Sequence, residues 1–163
     1  MENDLTLLGY IRRTLWYAGV LVLICGMLGC GQAAKDPAEA SQKLLATKIW
    51  YIDQILVNDG ITFKDGKMIQ QFGGIDFDRY METVQFKSNG DFEGLFKGDE
   101  KPMILHWQVG PTEVSIAAKD QKGGAWTIKP ASVTSDSFSM STQSTAYDYP
   151  RMTKIELIFK AKK

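Results

Sequence analysis

Cysteine, histidine and net charge are what this 163-residue chain has least of. Its two cysteines, Cys25 and Cys30, fall within the first thirty residues. The rest of the chain therefore has no disulfide, no thiolate metal site and no thiol nucleophile. A single histidine, His106, rules out a multi-histidine metal centre. Nineteen basic side chains balance nineteen acidic ones. That balance argues against a nucleic-acid binder, which carries a basic stripe or face. No run of roughly 20 apolar residues, the length a spanning helix needs, occurs anywhere.

What the chain does have comes in two parts. Arg12 and Arg13 precede about fifteen mostly apolar residues that end at Leu28, Gly29 and Cys30. A basic start, a short apolar stretch and small residues at its end read as an export signal over residues 1–29. After residue 29 the composition turns polar, turn-rich and strand-like. Arg12 and Arg13 offset Glu2 and Asp4, so the remaining 134 residues are again neutral, with 17 charges of each sign. That length suits one domain with a real core.

The end of the signal, Met27-Leu28-Gly29-Cys30, resembles a bacterial lipobox. The resemblance implies cleavage before Cys30, with lipid on its sulfur and then on its new amino group. A thiolate is the nucleophile that accepts the diacylglyceryl group, and small Gly29 lets a protease approach the backbone. Ile24 is large and branched, which makes Cys25 a poorer acceptor. The alternatives are an uncleaved anchor or a plain secretory signal. Residues 30–44 are expected to hold the lipidated Cys30 and a flexible tether of small and polar residues. Localisation follows as the cell envelope, lipid-anchored, with the outer membrane expected and the leaflet open.

From Lys48 on, aromatic and β-branched residues alternate with polar ones. Before them, residues 38–47 have the makings of a short helix carrying Leu44 and Leu45. Trp50 to Val57 reads as a strand ended by Asn58-Asp59-Gly60, and a small hairpin turns at Asp65-Gly66. Val84 and Phe86, then Phe92, Gly94 and Phe96, share faces across the turn Ser88-Asn89-Gly90-Asp91. Leu105, Trp107 and Val109 alternate with Ile104, His106 and Gln108. Val114 and Ile116, then Trp126 and Ile128, continue the pattern. Residues 131–142 carry Val133, Phe138 and Met140 in a bent strand or strand pair, and Ile155, Leu157 and Phe159 end the series. Eight or nine strands without long helical periods predict an all-β antiparallel meander. Closure into a barrel of about eight strands would remove its edges.

The domain over residues 45–163 resembles the small lipocalin-like domains of bacterial lipoproteins. The resemblance lies in Lys48-Ile49-Trp50, the hairpin from Phe86 to Phe92, Trp107-Gln108-Val109, Val114-Ser115-Ile116 and the closing strand over 155–159. It implies an up-and-down barrel with an apolar cavity and supplies no catalytic residues.

Candidate chemistry is sparse. His106 sits on the polar face of its strand, with no Gly-x-Ser-x-Gly elbow near it. It therefore reads as a surface histidine. Asp76, Asp78 and Glu82 lack the glycine and further ligands of a calcium loop, so they read as solvated or paired with Arg79. Glu82, Glu93 and Glu113 fall on outer faces and do not converge as glycosidase carboxylates. Gly73-Gly74 and Gly123-Gly124 open no helix and hold no phosphate. No cofactor or metal is expected, and no enzymatic activity. The aromatics are barrel core in the plainer reading. In the functional one, Trp50, Phe86, Phe92, Phe96, Trp107, Trp126, Phe138 and Met140 line a cavity for a small apolar ligand, and Met103 adds adaptable lining. The expected function is an envelope lipoprotein that binds or carries such a ligand. The alternative is a filled barrel serving as an accessory or assembly component of an envelope protein complex.

Overall fold

In the computed structural model, the described residues are 31–69, 80–120, 125–148 and 151–162. The export signal, Cys30, the loop with Asp76 and Asp78, and both paired glycines lie outside them. Ala33–Lys163 forms one compact unit with its own core.

Asp36 caps the helix α1 (Pro37–Ala46), its Oδ1 accepting from the Glu39 amide at 2.8 Å. Pro37 stands in the first turn, where it has no hydrogen bond to lose. Ala40 and Leu44 are the buried face of α1. The small, polar composition around residues 31–41 suggests a tether. Yet Ala34 is buried and its amide donates to the Val133 carbonyl at 2.8 Å. The packed unit thus begins before the boundary at residue 45 that composition suggests.

The strands are β1 (Trp50–Val57), β2 (Gly60–Lys64), β3 (Lys67–Met68), β4 (Met81–Phe86) and β5 (Asp91–Phe96). They continue as β6 (Met103–Val109), β7 (Val114–Ala117), β8 (Trp126–Ile128), β9 (Ser137–Asp148) and β10 (Arg151–Ala161). A short 3₁₀ turn, Pro130–Ser132, precedes β9. It stands where the bent strand or strand pair expected over 131–142 would begin, and β9 runs on as one long strand to Asp148. Every pairing is antiparallel. Around the sheet the order is β1, β4, β5, β6, β7, β8, β9, β10, and β10 pairs back onto β1. Eight strands therefore close an up-and-down barrel of lipocalin-like type.

The hairpin β2–β3 sits on the second half of β1, which pairs β4 only through Trp50 and Tyr51 and pairs β2 through Gln54–Val57. Its turns follow from sequence. Asn58 (φ 49°) and Asp59 (φ 67°) tolerate the left-handed conformations of a two-residue hairpin, as do Asp65 (φ 53°) and Gly66 (φ 74°). A bulge in β1 at Asp53 resets the alternation. Trp50, Ile55 and Val57 are therefore all buried despite their mixed spacing.

The core runs through the barrel from α1: Leu44, Trp50, Ile55, Val84, Phe92, Val114, Ile116, Ile128, Phe138, Met140 and Phe159 are almost wholly shielded from solvent. Burying one such side chain contributes about 1.5–3 kcal/mol. Val109, expected on the inner face with Trp107, is exposed because β6 ends there at the turn into β7.

Candidate functional site

The barrel interior divides into two halves. The start of β1, the end of β4, the start of β5, the end of β6 and the start of β9 all meet at the end covered by α1. There the rings fill the space. Phe138 packs edge-on against Trp50 at 5.0 Å and Phe86 at 5.5 Å, and stacks on Phe159 at 5.1 Å. Phe86 in turn meets Phe92 at 5.2 Å and Trp107 at 5.6 Å. Both indoles satisfy their polar atom on backbone, as buried tryptophan requires. Trp50 Nε1 donates to the Leu44 carbonyl at 3.1 Å, and Trp107 Nε1 to that of Lys87 at 3.0 Å.

The opposite end, where β1 leads into β2, is built differently. Moving toward it along β5, β6 and β8, the inward positions become less buried, whereas those of β1 and β10 stay buried. On β5 they pass from Phe92 and Gly94 to Phe96; on β6 from Trp107 to Leu105 and Met103; on β8 from Ile128 to Trp126. Phe96, Leu105, Met103, Trp126 and Tyr80 are partly buried and pack on the rim of the core. They form an apolar wall around the barrel mouth. Phe63 of β2 joins it, its ring 4.6 Å from that of Tyr80. Met81 reaches across the gap left by Gly94: a Cβ on that glycine would stand 2.8 Å from Met81 Sδ. An unbranched thioether is the adaptable filler such a gap suits.

One polar atom stands out at this end. Thr153 is the inward residue of β10 nearest the mouth, in line with Ile155, Leu157 and Phe159. It is buried, and its Oγ1 has no hydrogen-bond partner. Thr62, equally buried, donates its hydroxyl to the Ile55 carbonyl at 3.0 Å. A buried hydroxyl left unpaired costs about 1–3 kcal/mol, and so calls for an explanation.

The eight aromatic and methionine candidates from the sequence therefore separate. Trp50, Phe86, Phe92, Trp107, Phe138 and Met140 lie in the packed core, and Phe96 and Trp126 face the mouth. Strand alternation alone marks Leu105 as inward. Alternation with Ile155, Leu157 and Phe159 marks Thr153 as inward too, whereas Tyr80 and Met81 carry no comparable signal, because they lie at a strand start beside a bulge.

The remaining groups lie outside the barrel. His106 is exposed on the outer face of β6, where it covers Gly90 of the β4–β5 turn: a Cβ there would stand 2.6 Å from His106 Cε1. Glu82 is exposed, and Glu93 pairs with Lys87 at 3.3 Å. Among the described residues, no three His, Cys, Asp or Glu converge as a metal site. Among the described residues, two groups titrate away from their ordinary range, and both are surface members of ion pairs. The Lys35 amide and the Lys43 ammonium hold Glu39 below the usual carboxylate value. The Asp59 carboxylate, with Glu156, holds Lys154 above the usual lysine value. A groove of about 290 Å³ on the outer wall is lined by hydroxyls and ions, including Ser139, Ser141, Lys154 and Glu156. Among the described residues, no helix is long and apolar enough to cross a membrane.

No protein-family model and no curated protein matches this chain. Among solved structures, a bovine lipocalin allergen, Bos d 2, is similar over 77% of this chain and 74% of its own, at 15% identity and a TM-score of 0.39. The lipocalin-like barrel is defined here by strand order and closure.

Proposed function

We propose that this protein binds a small apolar molecule in the mouth half of its barrel and works as a carrier, without catalysis. The observation that supports this reading is the contrast between the two halves. The α1 end is filled by interlocking rings, whereas Phe96, Leu105, Met103 and Trp126 at the opposite end pack on the core and are only partly buried. Apolar walls with few polar groups are what small-molecule sites consist of. Titration of the Ala33–Lys163 unit with an environment-sensitive apolar dye tests the reading. Saturable binding that weakens in Phe96→Ser and Trp126→Ser supports it. Binding unaffected by both substitutions would refute the site.

The export signal and the residues Met27-Leu28-Gly29-Cys30 add a location to this proposal. Cys30 carries lipid, and the barrel is held at an envelope membrane, the outer one being the expected address. Two or more acyl chains hold such an anchor stably. Intact mass of the mature protein, with and without Cys30→Ser, tests this directly.

The ring packing of the α1 half also supports a second reading, in which the barrel is a rigid accessory component of an envelope protein complex. Its outer strands would then be the contact surface. A stable partner recovered from detergent extracts, together with failure of every apolar probe, would favour this reading over the carrier.

A further inference from the structure

We infer that the ligand is an amphiphile with one hydrogen-bonding head group, and that the Thr153 hydroxyl is the anchor for that head. This deepens the carrier reading and rests on it.

The argument is one of comparison within the same barrel. Thr62 and Thr153 are the polar residues shut away from solvent among the described residues. The first gives its hydroxyl to a backbone carbonyl, and the second gives it to nothing. Thr142 Oγ1 likewise donates to the Ala125 carbonyl at 2.9 Å and Thr134 Oγ1 to that of Ser137 at 3.1 Å. Valine has nearly the shape of threonine and would fill the Thr153 position without the unmet hydroxyl. A local rule broken where an isosteric remedy exists is the mark of a functional position.

Placement says which function. Thr153 faces inward on β10, at the same end of the barrel as Phe96, Met103 and Trp126, and is paired across the sheet with Ser144 of β9. The ring-filled half offers no room for a polar head. An amphiphile therefore lays its apolar part against the mouth wall and brings its head to the hydroxyl as it closes the site. A threonine hydroxyl both donates and accepts, so an alcohol, a carbonyl or a carboxylic acid satisfies it. A pure hydrocarbon leaves it unmet.

The test compares two probes of equal length on the Ala33–Lys163 unit, 1-decanol and 1-chlorodecane, by calorimetric titration. Wild-type protein is expected to favour the alcohol by about three- to tenfold, the worth of one net hydrogen bond. Thr153→Val should erase that preference while raising the melting temperature of the unliganded protein. Thr153→Ser should retain the preference. Equal binding of both probes to the wild type leaves the carrier reading standing and overturns the anchor. A Thr153→Val variant that melts lower also overturns it, because the hydroxyl then has a partner in the folded chain. Failure of both probes to bind at all removes the carrier reading, and this inference with it.

Discussion

The Trp50 indole N–H donates to the Leu44 carbonyl at 3.1 Å, tying the last turn of α1 to the first residue of the barrel. Both partners are buried. Replacing Trp50 with Phe keeps an aromatic ring but leaves that carbonyl unpaired. Stability should fall by about 1–3 kcal/mol from the lost bond alone, read as a lower urea midpoint with an unchanged slope.

Phe138 is the centre of the ring cluster, with Trp50, Phe86 and Phe159 around it. Phe138→Ala is expected to cost about 3–5 kcal/mol, a large part of a small domain's stability. Phe96→Ala, at the partly buried edge of the core, should cost clearly less. Chemical denaturation of both variants measures the difference. Equal losses would contradict the division of the interior into a packed half and an open one.

Lys154 should lend the fold a weak alkaline sensitivity. Its Nζ lies 2.7 Å from Asp59 Oδ1 and 3.4 Å from Glu156 Oε2, which raises its pKa above the ordinary value. A raised pKa means the pairing stabilises fully below the unfolded value and is lost as pH climbs through the folded one. Solvent exposure keeps the effect small. Lys154→Met should therefore differ from wild type at neutral pH, and the gap should narrow above about pH 10.4.

Cys30→Ser should move the protein from the membrane fraction to the soluble one and remove the mass of the lipid. Fractionation with intact-mass measurement gives the answer. A variant still anchored would point to an uncleaved apolar segment instead.

Much of the barrel is legible in the sequence, because a closed antiparallel meander writes its inner face as period-2 alternation. Phe92-Gly94, Trp107, Val114-Ile116 and Ile155-Leu157-Phe159 show it plainly. The bulge at Asp53 hides it in β1, and the strand end hides it at Val109. The early start of the packed unit is hidden too, since Ala34 and Ala40 are small residues that look like linker until a helix cap and a barrel floor bury them. The mouth is least legible. Whether an inward aromatic fills a core or lines a site depends on how far it stands from the closed end, and the residue alphabet is the same in both cases. Thr153 stands out through the hydrogen bond its buried hydroxyl lacks, a property of the folded chain that no sequence pattern carries.

The most direct test is native mass spectrometry of residues 31–163 exported to the envelope compartment and purified without detergent. The carrier account predicts a co-purifying small molecule of defined mass that is lost in the Phe96→Ser, Trp126→Ser double variant. A bare protein mass in repeated preparations, with no uptake of added 1-decanol, would contradict it and leave the packed barrel as a partner-binding component.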